Sequence, residues 1–247
     1  MKTILMSGGS GNLASHIVRA NKKYRIHHPP RASMDVTQYK EVEEWIDLVK
    51  PDVFIHSGAF TRPMSKHQIY PIESISSNIV GTSNVAMACI NSGVKLVYIS
   101  TDYVYPGTDG EYKETDALSP FEGNSDGVTK YGWSKLGGEC AVRICDNSLI
   151  IRACICNFPF PHPRAAIDIR KSLMFDEDAA PIILRLLDET GVINVGGEAR
   201  SVYDFVSETN PSIGKISSKE ILDVKIAPDT SMDITKLKKA LGRKIDD

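Results

Sequence analysis

Tyr131 and Lys135 stand four residues apart in Tyr131-Gly132-Trp133-Ser134-Lys135, a spacing that puts both on one face of a helix. An ammonium in that position stabilises a phenolate. It draws a tyrosine down from its ordinary pKa of roughly 10, so that the phenol can exchange a proton near neutrality. Taken alone, the pair is also what many solvated helices carry. Its company is more telling. The apolar run 96–100 leads into Thr101-Asp102-Tyr103-Val104-Tyr105, at the C-terminal edge of a strand, where open α/β sheets place their sites. Thr101 there could hydrogen-bond the same substrate oxygen that Tyr131 protonates. Asn78, in an otherwise apolar helical stretch, is either an exposed amide or the anchor of a water relay to Lys135.

A second cluster of chemistry lies at the start of the chain. Residues 2–7 run into Ser7-Gly8-Gly9-Ser10-Gly11-Asn12-Leu13-Ala14, and a helix follows at once. Gly8 permits a tight turn, Gly11 lets the backbone approach a pyrophosphate, and the helix N-terminus offers free N–H groups and positive dipole to the anion. The order strand–turn–helix lifts this above a bare pattern, although the spacing is GxxGxxA, with Ala14 at the helix–strand packing position. A glycine-rich turn of some other α/β protein is the competing reading. An acidic residue ending the second strand would favour NAD. Residues 24–31 read YRIHHPPR instead, with Arg25, His27, His28 and Arg31 and no carboxylate. Such a cluster suits the 2′-phosphate of NADP, or is a solvated basic loop, and NAD stays possible. Asp35 with Val36 opens a turn suited to contact adenine.

These groups need a frame to hold them. Short apolar runs at 2–7, 53–57, 96–100 and 148–152 read as buried strands. Between them lie amphipathic stretches at Asn12–Ala20, Tyr39–Val49, 74–91 and 132–145, with Gly93 suited to cap the third. Alternation on this scale predicts an α/β fold: a Rossmann-type, doubly wound parallel sheet with helices on both faces. The character changes after Arg152. Phe158-Pro159-Phe160-Pro161-His162-Pro163 cannot be an internal strand or helix and opens a smaller region. A helix at 178–189, a strand at 192–195, a short helix after Arg200 and a final helix at 234–241 follow. The chain thus divides into a dinucleotide-binding domain, 1–152, and a small substrate-binding region, 153–247, partly interleaved with it.

The order Gly8xxGly11, Asp35-Val36, His56-Ser57-Gly58-Ala59, Asn78, Ser100-Thr101-Asp102-Tyr103-Val104-Tyr105, Tyr131xxxLys135 resembles the extended short-chain dehydrogenase/reductases. Among them it is most similar to the branch that reduces nucleotide-linked 4-keto-6-deoxy sugars. The later segments 194–197, 200–205 and 233–237 are similar to that branch more loosely. The resemblance implies that Tyr131 is the general acid, that Lys135 holds the nicotinamide ribose, and that Thr101 orients the substrate carbonyl. It places the pyrophosphate on Gly8, Gly11, Asn12 and Leu13 and the adenosine along Ser57, Gly58 and Ala59. Substrate falls to Thr101, Asp102, Tyr103 and Arg200, with Arg164 and Arg170 as further phosphate candidates. Related dehydratases carry a glutamate where this chain has Tyr103, so dehydration lacks its base. An epimerase of the same superfamily and a non-catalytic, NADP-binding regulatory subunit remain the alternatives, since some relatives serve in the latter way. The resemblance also implies a homodimer through the helices at 74–91 and 132–145.

Composition narrows the classes. The 247 residues carry 29 Lys+Arg against 31 Asp+Glu, with 42% hydrophobic and 24% charged residues. These are ordinary globular values, and without a basic block nucleic acid is not an expected partner. No apolar run approaches the roughly 18–20 residues of a membrane span, and residues 1–6 are too short for a signal peptide. The five cysteines include no CxxC pair. Neither a disulfide framework nor a metal site is expected, and a reducing cytoplasm fits. His56 and His162 have no evident partner.

Overall fold

The structure, a computed structural model, describes residues 1–61, 63–122, 127–222 and 225–242. Positions 223–224 and 243–247 of the expected region 153–247 lie outside the described residues. Six parallel strands form the central sheet: β1 (Thr3–Ser7), β2 (Arg25–His27), β3 (Val53–His56), β4 (Lys95–Thr101), β5 (Ser148–Ala153) and β6 (Gly191–Val195). Their spatial order is β6-β5-β4-β3-β1-β2. The strand order reverses beside β1, which makes the crevice between the C-terminal ends of β1 and β3 the switch point of the sheet.

Alternation along each strand feeds two separate cores. Ile4, Met6, Ile55, Val97 and Ile151 face one side, where α1 (Asn12–Ala20), α5 (Asp176–Arg185) and α6 (Thr235–Gly242) cover them. Leu5, Phe54, Leu96, Tyr98 and Ile150 face the other, beneath α2 (Tyr39–Val49), α3 (Gly81–Ser92) and the end of α4 (Gly127–Val142). Burial on both faces explains why these strands read as continuous apolar runs. Gly93 ends α3 in the left-handed conformation, at φ 70°, where glycine carries no steric penalty.

Three helices differ in extent from the sequence reading, the one expected at 178–189 running over Asp176–Arg185 instead. The helix expected at 74–91 is a turn at Pro71–Ser74, a π-helical turn at Ile75–Val80 and then α3. The wider turn accompanies the complete burial of Asn78, and Gly81 follows it where a Cβ would sit 2.7 Å from Val36 Cγ2. The helix expected at 132–145 begins earlier and ends earlier, as α4. The C-terminal region is richer in strand than its composition suggests. Ile155–Cys156 pairs with Met174–Phe175, Arg164–Ala166 with Gly214–Ile216, and Arg170–Lys171 with Arg200–Ser201. These ribbons enclose a third core that includes Tyr105, Leu173, Phe175 and Phe205. Residues beyond Ala153 also supply β6, α5 and α6 to the central sheet and its cover.

One ion pair fastens these layers. Arg152 of β5 and Glu139 of α4 are both fully buried, with Nη2 2.5 Å from Oε1. Glu139 also accepts from Ser100 of β4, and Arg152 donates to the Tyr105 hydroxyl at 2.8 Å. Burial alone would raise the Glu139 carboxyl, but Arg152 and Arg143 hold it below its ordinary range. Removing one partner of such a pair strands the other charge. Glu139→Ala should therefore lower the unfolding free energy by about 3–5 kcal/mol. Arg31→Ala, in an exposed pair with Asp35, should cost less than about 1 kcal/mol. Urea unfolding of the two variants checks this; equal losses would show that Arg152 does not depend on Glu139.

Candidate active site

Strand β4 delivers Thr101 to the edge of the sheet, and a 3-10 turn at Asp102–Val104 follows at once. Thr101 caps that turn. Its Oγ1 accepts from the Tyr103 N–H at 3.3 Å and donates to Asp102 Oδ1 at 3.1 Å. Helix α4 runs alongside and carries Tyr131, Lys135 and Glu139 at a four-residue stride, 8%, 2% and 0% exposed. Gly132 and Gly138 let the helix lie this close. A Cβ at Gly132 would come within 2.5 Å of the Tyr103 carbonyl, and one at Gly138 within 2.5 Å of the Asn78 carbonyl.

The Tyr131 ring lies edge-on to Tyr103, with centroids 6.0 Å apart, and tilted against His67 at 5.0 Å. His67 is itself held by Ser74 Oγ at Nδ1 and the Thr61 carbonyl at Nε2, both at 2.7 Å. Lys135 Nζ sits 4.1 Å above the Tyr98 ring, a cation–π contact in a water-poor setting. Burial pulls the Lys135 ammonium down to about 7, with Glu139 opposing the shift. Asn78 accepts from the Phe60 N–H and donates to the Phe60 carbonyl and Ser134 Oγ. Ser134 in turn donates to the Tyr131 carbonyl at 2.8 Å. Asn78 is thus a buried brace between the β3 exit loop and α4, not an exposed amide.

The glycine turn meets the other half of the expectation. Gly8 adopts φ 72°, and a Cβ there would lie 2.8 Å from Gly58 Cα and 3.0 Å from the Ser57 carbonyl carbon, so Ser57 and Gly58 line the turn at the β1/β3 crevice, with Ala59 next in the chain. Gly11 precedes α1 with no side-chain cap, leaving the first-turn N–H groups, from Asn12 and Leu13 onward, available to an anion. This donor set and glycine cradle fit a dinucleotide pyrophosphate. The loop after β2 packs against the same turn, since a Cβ at Gly9 would fall 2.1 Å from the His28 carbonyl oxygen. His28 is thereby brought to the turn. Arg31 instead pairs with Asp35 at 3.1 Å. Partial burial would raise the Asp35 carboxyl, yet hydrogen bonds from Thr37 and Arg31 hold it low. Val36 packs on α3, where its carbonyl accepts from Asn84.

The residues expected to meet substrate separate. Tyr103 is half-buried beside Tyr131. Asp102 Oδ2 turns inward to Lys171 Nζ and Thr230 Oγ1, each at 2.5 Å. Burial would lower the Lys171 ammonium, but Asp102 holds it above its ordinary range. Arg200 bridges to Glu208 and lies 4.9 Å over Phe205. Arg164 and Arg170 pair with Glu220 and Asp229. His162 packs edge-on against Phe160. Sequence reasoning missed Glu139, which the stride from Tyr131 through Lys135 marks in hindsight. It also missed His67 and Lys171, which no local spacing announces.

Residues 1–156 match the family model described as the RmlD substrate binding domain. A dTDP-4-dehydrorhamnose reductase of Aggregatibacter actinomycetemcomitans is 29% identical over 157 residues, covering 62% of this chain and 51% of that protein. Methionine adenosyltransferase 2 subunit beta of Rattus norvegicus is 27% identical over 150 residues, covering 57% of this chain and 42% of that protein. In sequence, then, the chain spans about half the length of the curated relatives it matches. In structure the likeness is longer. A dTDP-4-dehydrorhamnose reductase of Bacillus anthracis, solved in complex with NADP, superposes with a TM-score of 0.83 at 20% identity over 98% of each chain. That likeness bears out the Rossmann-type fold.

Lys135 makes stability pH-dependent. Its ammonium titrates at about 7 in the folded chain against 10.5 ordinarily, so between those values the unfolded chain binds a proton that the folded chain lacks. Stability due to this group therefore rises with pH across that window, and its penalty is complete below it. The urea midpoint of the wild type should climb between pH 7 and pH 9 relative to that of Lys135→Met. Parallel curves would show that Lys135 is not desolvated.

Proposed function

This chain belongs to the RmlD substrate-binding-domain family, and from that membership we propose that it is an NADPH-dependent reductase of a nucleotide-linked 4-keto-6-deoxy sugar. The observation that carries the reading is α4 packed along β4, with Lys135 over the Tyr98 ring and Tyr131 edge-on to Tyr103, two residues after Thr101, together with an uncapped glycine turn at the head of α1. The resemblance to dTDP-4-dehydrorhamnose reductases sets the substrate class. The NADP in the Bacillus anthracis relative, with no carboxylate among residues 24–31, favours NADPH over NADH. A regulatory subunit is the weaker reading because Thr101, Tyr131 and Lys135 are intact, and an epimerase because the run Thr101-Asp102-Tyr103-Val104-Tyr105 resembles the reductases more.

In this reading the Thr101 hydroxyl turns its hydrogen from Asp102 Oδ1 to the C4 carbonyl oxygen when substrate binds, and Tyr131 gives that oxygen its phenolic proton. The bound reduced nicotinamide supplies the hydride. Lys135, one turn after Tyr131 on α4, holds the nicotinamide ribose and, in its protonated form, lends positive charge to the phenol as it loses its proton. Tyr103 packs beside the reacting group, where related dehydratases carry their carboxylate. Asp102 serves the site indirectly, by fastening Lys171 and Thr230 of the C-terminal region to the catalytic strand.

Two further proposals accompany this one. The five cysteines all carry free thiols, which suits a cytoplasmic enzyme. Among the described residues no helix is long and apolar enough to cross a membrane. Ile75, Met87 and Ile90 along the π turn and α3, and Trp133 on α4, are each about half exposed. We take this pair of helices as the homodimer face.

Purified protein should oxidise NADPH, followed by absorbance, only when the dTDP-linked 4-keto sugar is generated in the cuvette, and NADH should be the poorer donor. Tyr131→Phe should cut turnover by about 10²–10⁴-fold while NADPH still binds. Undiminished turnover by that variant would sink the mechanism. Sedimentation should show a dimer that Met87→Lys with Trp133→Glu converts to monomer; a monomeric wild type at working concentration refutes the interface.

A further inference from the structure

Ser7, His56 and Thr82 take no part in the chemistry above, yet they join its two halves. They come from β1, β3 and α3 and are 1%, 1% and 0% exposed. Their proton positions follow by elimination. The Asn78 carbonyl can only accept, so Thr82 Oγ1, 2.7 Å away, donates to it. Thr82 then presents lone pairs to His56 Nε2 at 3.0 Å, which assigns the imidazole hydrogen to Nε2. His56 Nδ1, left with a lone pair, accepts from Ser7 Oγ at 2.7 Å. Ser7 Oγ accepts in its turn from the Gly58 N–H at 3.2 Å. Burial, and then the charge of Lys135, hold the His56 imidazole down to about 3, so the ring stays neutral and the direction of the chain is fixed.

Both ends touch groups with a function. Gly58 abuts Gly8 in the glycine turn. Asn78, through its side chain, donates to Ser134 Oγ, which donates to the carbonyl of Tyr131. We propose that His56 is a positioning residue that couples the dinucleotide-binding turn to the catalytic helix through this one-directional chain of hydrogen bonds. The inference rests on the reductase reading for what binds at the turn. Seating a pyrophosphate against Gly8 and Gly58 tightens the end of a chain that finishes on the Tyr131 backbone. Coupling of this kind runs both ways, so cutting the chain at its catalytic end weakens binding at the dinucleotide end.

The test reads the far end of the chain. Thr82→Val keeps the shape of the side chain, removes both hydrogen bonds, and should raise the NADPH dissociation constant, measured by fluorescence, about 5-fold or more. Thr82→Ser should restore it. Wild-type affinity in a folded Thr82→Val protein overturns the proposal. A second measurement needs no cofactor. In urea unfolding, Ser7→Ala and Thr82→Val should be non-additive in the wild type and additive once His56→Phe has cut the chain. Additivity in the wild type overturns the coupling. A protein that binds no dinucleotide contradicts the reductase reading instead, and the urea cycle still judges the chain.

Discussion

A guanidinium and a carboxylate with no access to water set the geometry on which the site depends. Arg152 and Glu139 each require the other, because a single buried charge costs several kcal/mol. Their partners then leave little freedom. Glu139 accepts from Ser100, the residue before Thr101. Arg152 reaches the Tyr105 hydroxyl and the Glu114 carbonyl, and Tyr105 donates to Asn194 of β6. The pair thus fixes the depth of α4 against β4, β5 and β6 at once. Lys135 and Tyr131, one and two turns earlier on the same face, inherit that depth. Their burial follows from the pair below them, and burial in turn gives Lys135 its depressed titration.

A second buried pair does the same for the C-terminal region. Lys171 and Thr230 close on Asp102 Oδ2, and Lys171 Nζ lies 4.0 Å over the Tyr103 ring. Two of the four residues after Ser100 are therefore held from the far side of the crevice. The exposed arginine pairs on the same region contribute little by comparison. Burial explains the inward turn of Asp102, whose carboxylate, at a strand end out of reach of solvent, meets a lysine and a threonine from another layer.

The sheet was the legible part of the sequence, because burial on both faces writes itself as uninterrupted apolar runs. Tyr131, Lys135 and Thr101 were legible because one helical stride and one strand end determine where they go. The glycine turn was legible because only glycine accepts φ 72° at Gly8 without strain. What stayed hidden depends on contacts between distant segments. His56 meets Ser7 and Thr82 across 49 and 26 residues, and Lys171 meets Asp102 across 69. The π turn at Ile75–Val80 left no pattern in composition, and it alters which side of the helix Asn78 faces. The short ribbons of the C-terminal region were hidden for another reason: two- or three-residue strands carry too few positions for a period to show.

The sequence match to the family ends at residue 156 while the likeness of fold runs on through almost the whole chain, and the physics of the two regions differs in the same way. Up to Ala153 the chain must build a turn with Gly8 at φ 72°, a helix face that buries a lysine, and a brace that joins them. Each of these tasks admits few residue types. Beyond it, β6, α5 and α6 have chiefly to cover Ile17, Ile151 and their neighbours with apolar volume, a task that many sequences perform equally well. A few positions there escape that freedom, Lys171, Asn194 and Thr230 among them, because each completes a polar network begun in the first region. A buried polar group left without its partner is costlier than a poorly packed methyl. It is at these few polar positions, more than in the apolar cover around them, that the C-terminal region is bound to the frame of β4, β5 and α4.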